Sequence, residues 1–407
     1  MIRWGHKGLM DMKPGKLTVE HGLYCLAFLI ALGVRFLALG AAESKGLRKG
    51  LIVNLDSTVS SIRRAVEEAE GVANVPVESA IIGVAGSHVR GVNSRGGVPL
   101  GPRPRDIERD DVRRTIEAAR NVSLPDDREV LHVLPHEFRV DAQDGIRDPI
   151  GMVGQRLEAN VHIVTSSISA TQNLVTAANK AGILINDTVL EPLASGEACL
   201  TQDERELGAC LLDIGGGTTE LIVYGGGVVR HTGAVAIGGD HFTNDLAVGL
   251  RTPIPEAERI KRQHGCAAAH LLRHEGSIEI ASVGDRPPRT IFPRNLTEIT
   301  EPRAMELFSL ISDDLRRAGL DSQIPAGFVL AGGGARLNGT VELMEQLFHL
   351  PVRIAEPRGI LDLPEQVAQP EYATVVGLVL YGAKARKTAS AKTGTFVSKL
   401  KSMFAGA

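Results

Sequence analysis

Asp213-Ile214-Gly215-Gly216-Gly217-Thr218-Thr219 follows the apolar run Gly208-Ala209-Cys210-Leu211-Leu212, and Ala331-Gly332-Gly333-Gly334-Ala335 follows Gly327-Phe328-Val329-Leu330. Each pair reads as a buried strand that ends in a glycine turn. Consecutive glycines let backbone N–H groups crowd around phosphate oxygens, and a carboxylate at the strand end can hold the water shell of a divalent metal. The second turn leads into Asn338-Gly339-Thr340-Val341-Glu342-Leu343, an expected helix start that again aims amides at a ligand. Neither turn fits G-x-x-x-x-G-K-[ST] or G-x-G-x-x-G. A tight hairpin without a ligand is the competing reading of either turn alone. The pair, with what lies between, points to a polyphosphate cleft.

Working outward, 407 residues are enough for more than one lobe with real cores. A net charge of −3 and 4% aromatic residues speak against a general nucleic-acid binder. Cys25, Cys199, Cys210 and Cys266 form no CxxC pair and sit mostly in apolar runs, the usage of a reducing cytosol. Gly22 to Ala42 is apolar apart from Arg35 and follows basic residues, so it could be read as a signal or membrane segment. The mid-run arginine and the alternation from Val34 to Gly40 favour two core strands in a hairpin instead.

Strands and helices alternate along the chain. Val59 to Glu70 has helical periodicity, Ser79 to Ala85 reads as a strand, and Gly91 to Arg105, rich in Gly, Pro and Arg, as an exposed loop. A helix from Asp106 to Asn121, capped by Asp106, precedes strands at Glu129 to Leu134 and Asn160 to Thr165. Ser169 to Ala181 is a helix ending at Gly182, and Ile183 to Leu190 a strand. Leu221 to Tyr224 and Gly227 to His231 form a hairpin about Gly225-Gly226, and helices are expected over Thr300 to Ala318 and Glu371 to Lys387. Strand, hairpin and helix recurring around both glycine turns predict a duplicated α/β fold with a cleft between two halves.

These residues resemble the actin, hexokinase and DnaK-type ATPase superfamily. The first glycine turn is similar to its second phosphate loop and the second to its adenosine motif. Val189 to Ala198 and Tyr372 to Leu378 resemble the two connecting helices, and Ala257 to Lys261 resembles the segment whose acid and lysine contact ribose and adenine. Within that group the resemblance is to the FtsA family of bacterial division proteins. It is carried by Gly46 to Leu55, Ser79 to Val89, His132 to Phe138, Asp148 to Met152 and Gly233 to His241. The resemblance implies a duplicated actin-like (RNase H-like) α/β fold of two lobes around a nucleotide cleft, with an FtsA-type inserted subdomain. By the same resemblance the first lobe core comprises residues 17–85, 163–198 and 370–388, with the insert at 86–162. The second lobe core comprises 199–240 and 323–369, with its subdomain at 241–322.

The departure lies upstream. The family's first phosphate loop is an Asp-Ile-Gly-Thr-like turn, and Leu17-Thr18-Val19-Glu20-His21-Gly22-Leu23-Tyr24 stands in its place. About half of the expected phosphate cradle is therefore missing. Either nucleotide is held weakly, with little or no hydrolysis, or residues 1–33 are a shifted reading frame; the unpatterned residues 1–16 fit the second explanation.

In the remaining cleft Asp213 is expected to bind Mg2+ through water, while the Gly215, Gly216 and Gly217 amides and the Thr218 hydroxyl hold the phosphates of ATP. The resemblance implies that Glu191 orients a hydrolytic water; the plain alternative is a helix-start carboxylate stabilised by the dipole. Glu258 and Lys261, three apart on one helix face, can both reach a ribose, or simply pair on the surface. Gly332, Gly333 and Gly334 form the adenosine turn, the last two against the adenine. Cys266, His270 and His274 recur every four residues and could line a metal-binding helix face if Gly265 does not break it, yet no fourth ligand is evident. His132 and His136 bracket Pro135, which argues against a shared helical face.

After Glu371 no acidic residue remains, while Lys384, Arg386, Lys387, Lys392, Lys399 and Lys401 follow. Residues 389–395 read as a flexible linker and 396–406 as an amphipathic helix. Phe396, Val397, Leu400, Met403 and Phe404 share one face, with Lys399 and Lys401 beside it, a pattern suited to an anionic membrane surface. Partial burial of five such side chains is worth on the order of 5 kcal/mol and each lysine about 1 kcal/mol, less the cost of ordering the helix. One tail would hold marginally and many tails on a polymer firmly. The resemblance supplies the rest of the expectation: a peripheral protein on the cytoplasmic side of the inner membrane at the septum. It would polymerise with itself and tether FtsZ through residues 241–322, and its insert would serve self-assembly and recruit downstream division proteins. A soluble small-molecule kinase and a pilus-assembly scaffold of the same superfamily are the competing readings.

Overall fold

The computed structural model describes residues 25–32, 35–272, 276–284 and 286–386. Its centre is the strand Ala209–Ile214, buried along its whole length. It lies third in a five-stranded sheet ordered Val228–Val235, Thr219–Gly225, Ala209–Ile214, Phe328–Ala331, Val352–Ile354. The hairpin side is antiparallel and the other side parallel, with Asp213 opposite Glu220 on one neighbour and Ala331 on the other. Strand alternation sends Cys210, Leu212 and Ile214 to one face, among Ala304, Leu307, Phe308 and Ile311 of the helix Pro293–Arg317. Leu211 faces the other way, among Leu193 and Ala198 of the helix Glu191–Cys199. A strand covered on both faces has no polar side to spare, which is why it reads as an apolar run broken only by Asp213.

In the first lobe Cys25–Leu32 and Arg35–Glu43 form the expected antiparallel hairpin, with Arg35–Glu43 against the helix Leu55–Ala73. Ser79–Val84 and Leu184–Leu190 form a separate parallel pair. Among the described residues no strand joins hairpin to pair, the place that Ala209–Ile214 takes in the second lobe. Residues 373–386 form the last described helix. It crosses Glu191–Cys199 so closely that a β-carbon on Gly377 would stand 1.8 Å from the Ala194 carbonyl oxygen.

Two expectations fail in the inserted region. Most of the segment read as an exposed loop is the strand Arg90–Pro99, paired along its length with Arg156–Ser167 in a four-stranded sheet with Arg128–Val140 and Gln143–Ile146. Its glycines serve close approach rather than turning: a β-carbon on Gly96 would meet the Ala119 backbone nitrogen at 2.2 Å. The following helix is Arg109–Arg120, not one capped by Asp106; Glu108 and Asp111 form its capping box and Asp106 lies in a short strand. Elsewhere the hairpin turns at Gly226 and Gly227, both at positive φ, one residue beyond the expected pair.

Gly377→Ala should lower stability by about 1–3 kcal/mol, because backbone must move to admit one methyl group. Gly71→Ala, in a helix with open space around the new β-carbon, should raise it by up to about 1 kcal/mol. Urea unfolding of the two variants checks both signs.

Candidate functional site

Because Ala209–Ile214 and Phe328–Ala331 run parallel and adjacent, both glycine turns leave the same edge of the sheet. In open α/β sheets ligands bind in the crevice outside such carboxyl ends. Here that crevice is a cleft of about 1360 Å³ lined by both turns, Glu191, Glu220, Glu258, Lys261 and residues of the first lobe.

Asp213 sits at its floor, 7% exposed. Its Oδ2 accepts hydrogen bonds from Ser195 Oγ at 2.8 Å and Thr374 Oγ1 at 2.9 Å, one from each of the two crossing helices. Burial raises the Asp213 pKa and the two hydroxyl bonds oppose that rise. A β-carbon on Gly332 would come within 2.6 Å of Asp213 Oδ1, and Gly332 also has φ +79°, so only glycine suits this position.

The turn itself is braced from behind. Gly215 N–H donates to the Asp213 and Thr218 carbonyls, so this amide, expected to face phosphate, is already used within the turn. The carbonyls of Gly215 and Gly216 accept from Gly239 and Asp240 N–H at 2.9 Å each, fixing the turn to the start of the helix Gly239–Gly249. Among the described residues the Gly216 and Gly217 amides have no protein partner, which leaves them for an anion. In the second turn Gly332 and Gly334 pack on Ile214, while Gly333 has open space where a side chain would be.

Glu191 begins its helix beside Asp213, and burial, then the Asp213 charge, push it up to about 7. The strand Ser79–Val84 can lie against it only because residue 83 is glycine: a β-carbon there would be 2.6 Å from Glu191 Cγ. A carboxyl raised to about 7 at a cleft wall can take up or release a proton near neutral pH.

Glu258 and Lys261 pair with each other at 2.6 Å, and the Lys261 ammonium also donates to the Gly239 carbonyl and Thr243 Oγ1. The two form an i,i+3 ion pair that is largely buried and lines the cleft.

Sequence reasoning missed Glu220 and Asp240. Glu220 faces Asp213 across the strand pair, is 5% exposed, and has an Oε1 with no partner. Burial, then Glu191, raise its pKa well above the ordinary value. A glutamate one residue past the glycine turn, leading an apolar strand, was the available signal. Asp240, pushed up to about 6 by burial, lines the same cleft. An orphaned carboxylate oxygen beside two further buried carboxyls fits a cation in the cleft. Among the described residues no three acidic, His or Cys groups could hold an ion directly.

The Cys266, His270, His274 grouping does not survive. The helix ends at His264 with Gly265 as its cap, Cys266 is buried near Asn338, and His270 bonds Gln346. His274 lies outside the described residues, as do the linker 389–395 and the tail residues Phe396, Val397, Lys399, Leu400, Lys401, Met403 and Phe404. Among the described residues no helix is long and apolar enough to cross a membrane.

Similarity to known proteins agrees with this layout. The family described as "Cell division protein FtsA" matches residues 210–377, and the "SHS2 domain inserted in FTSA" matches 86–165. The chain is 46% identical to cell division protein FtsA of Pseudomonas aeruginosa over 84% of its length and 82% of the relative's. It is 36% identical to that of Escherichia coli K12 over 91% of each chain. The Bacillus subtilis protein is 36% identical over 89% of this chain and 81% of its own. Among solved structures, a chain of the "PilM-PilN type IV pilus biogenesis complex" superposes with a TM-score of 0.63 at 17% identity, covering 88% of this chain and 94% of that one. The fold is thus the duplicated actin-like one.

An unfolded glutamate ionises near pH 4.3, while folded Glu191 holds its proton to about 7. Between those values only the unfolded chain releases the proton, so this group costs stability as pH rises through the window and no further above it. Glu191→Gln should be nearly neutral at pH 4 and stabilising by roughly 3–4 kcal/mol at pH 8. Urea unfolding of both chains at the two pH values checks the sign; equal curves at pH 8 would mean that folding does not raise the Glu191 pKa.

Proposed function

The chain belongs to the FtsA family of bacterial cell division proteins, and we propose that it is an actin-like division protein that holds Mg–ATP in this cleft, polymerises, and tethers FtsZ to the membrane. The observation that carries the nucleotide reading is Asp213, a buried carboxylate pinned by two helices at the mouth of a turn with two uncommitted amides. Magnesium, when bound, would offset phosphate charge, with Asp213 holding its water shell and the Glu220 carboxyl behind it able to give up its proton beside the ion. The Gly216 and Gly217 amides would bind phosphate oxygens. Glu258 and Lys261 would face the ribose, and the Gly332 to Gly334 turn the adenine. Glu191, titrating near neutrality, would orient the water.

Hydrolysis is proposed to be weak or absent, since residues 17–24 offer no second glycine cradle from the first lobe. Binding without rapid turnover suits an adaptor, whose task is to persist on a surface. The C-terminal segment 396–406 would lie in the inner membrane's cytoplasmic face at the septum, and polymerisation would turn many marginal anchors into one firm one. FtsZ would contact residues 241–322, and the insert would serve self-assembly and recruitment of later division proteins.

Asp213→Ala should weaken ATP binding at least tenfold, read by fluorescent-nucleotide titration, with the circular dichroism spectrum retained. Co-sedimentation with anionic liposomes plus ATP tests the tether: the full chain should pellet, increasingly steeply with concentration, and a chain ending at Ala389 should not. If both stay in the supernatant, the membrane reading fails and the scaffold reading takes its place.

A further inference from the structure

The inserted region 86–165 is joined to the first lobe by two chain crossings, after Val84 and at Ser167, and by His132, which accepts from Leu190 N–H and meets Tyr381 edge-on, yet it also rests on the second lobe. That second contact is made of histidines. His162, on Arg156–Ser167, is 1% exposed, with Nδ1 2.6 Å from Asn93 Oδ1 of its own sheet and Nε2 2.8 Å from Thr232 Oγ1 of the second lobe. His136 stacks on it with ring centroids 6.0 Å apart, and His136 Nε2 is buried without a partner. His231, on the second-lobe strand, meets His162 edge-on at 6.3 Å and pairs with Asp314 at 2.8 Å. Gly91 makes room for the whole contact, since a β-carbon there would stand 2.5 Å from both His162 Nε2 and Thr232 Oγ1.

We propose that this seam is a proton-operated latch: neutral His162 and His136 hold the insert against the second lobe, and protonating them releases it while the first-lobe crossings keep it attached. Asn93 Oδ1 can only accept, so Nδ1 carries the hydrogen and Nε2 accepts from the Thr232 hydroxyl; an added proton goes on Nε2, and the hydroxyl must turn from donor to acceptor to keep that bond. The added charge would also be buried, which is costly without a carboxylate partner. The charged groups facing the pair are few. Asp314 is taken by His231 and Arg317, Arg230 repels a proton on His136, and Glu137, beside His136, is engaged by Asn160. On the exposed rim Arg147 and Glu206 form a two-bond ion pair that adds to docking at any pH near neutrality.

The sign follows from burial, which lowers His136 to about 4 and His162 to about 3 in the docked form. Released histidines titrate near 6.5. Docking is therefore fully favoured above about pH 6.5 and weakens as pH falls below it, with up to two protons taken up. Between pH 7.5 and 5.5 the released-to-docked ratio should rise about 100-fold, roughly tenfold for each histidine.

Spin labels on the full chain at Val153→Cys and Leu207→Cys, both exposed positions on the two sides of the seam, would read the ratio as two inter-label distances. The expected result is growth of the longer distance by about 100-fold in ratio at pH 5.5. It should be abolished in His136→Gln/His162→Gln, while Arg147→Ala should raise the ratio by the same factor at both pH values. A change below tenfold in the labelled parent overturns the latch, as does an equal change in the double variant. Since the parent's own pH response decides, failure of the double variant to fold does not shelter the proposal.

Discussion

The arrangement turns on one buried carboxylate and the two hydroxyls that hold it. Asp213 would be costly to bury alone; Ser195 and Thr374 donate to the same oxygen and make its position tolerable. Those hydroxyls belong to the two helices that cross between the lobes, so the cleft floor and the inter-lobe joint are one construction. Any change in how those helices cross is felt at Asp213, and any charge placed before Asp213 is felt at the crossing.

Much of this was legible in the chain before the fold was known. Ala209–Ile214 and Phe328–Ala331 are short, apolar but for Asp213, and run straight into glycine turns, and no other local structure accounts for that pattern as well. The roles of Gly215 and Gly334 were not legible. Whether a glycine amide points to a ligand or closes its own turn depends on tertiary bracing, here from Gly239 and Asp240. Arg90–Pro99 was misread because glycine in sequence signals a turn, whereas Gly91 and Gly96 are there so that a histidine and a helix can approach the strand. Glu220 escaped notice because a lone acid at a strand start is ordinarily solvated; only the pairing with Asp213 buries it.

The acidic floor also explains a division of labour in the cleft. Glu191, Asp213, Glu220 and Asp240 all have carboxyls held above their ordinary range by burial. Lys261, one of several cations that line the cleft, is occupied by Glu258 and the Gly239 carbonyl. Carboxyls held protonated by burial can ionise around an incoming cation, while the uncommitted amides of the turn suit an anion, a combination that fits the proposed metal–phosphate pair.

The contact between Gly377 and the Ala194 carbonyl has a mechanical side. With no side chain between the helix backbones there is no soft layer to shear, so the halves of the molecule can change their relation by turning about that point but hardly by sliding. A joint of this kind works as a pivot with long arms: a small rotation beside Asp213 becomes a larger displacement at the outer edges of both lobes, where neighbours in a polymer would sit.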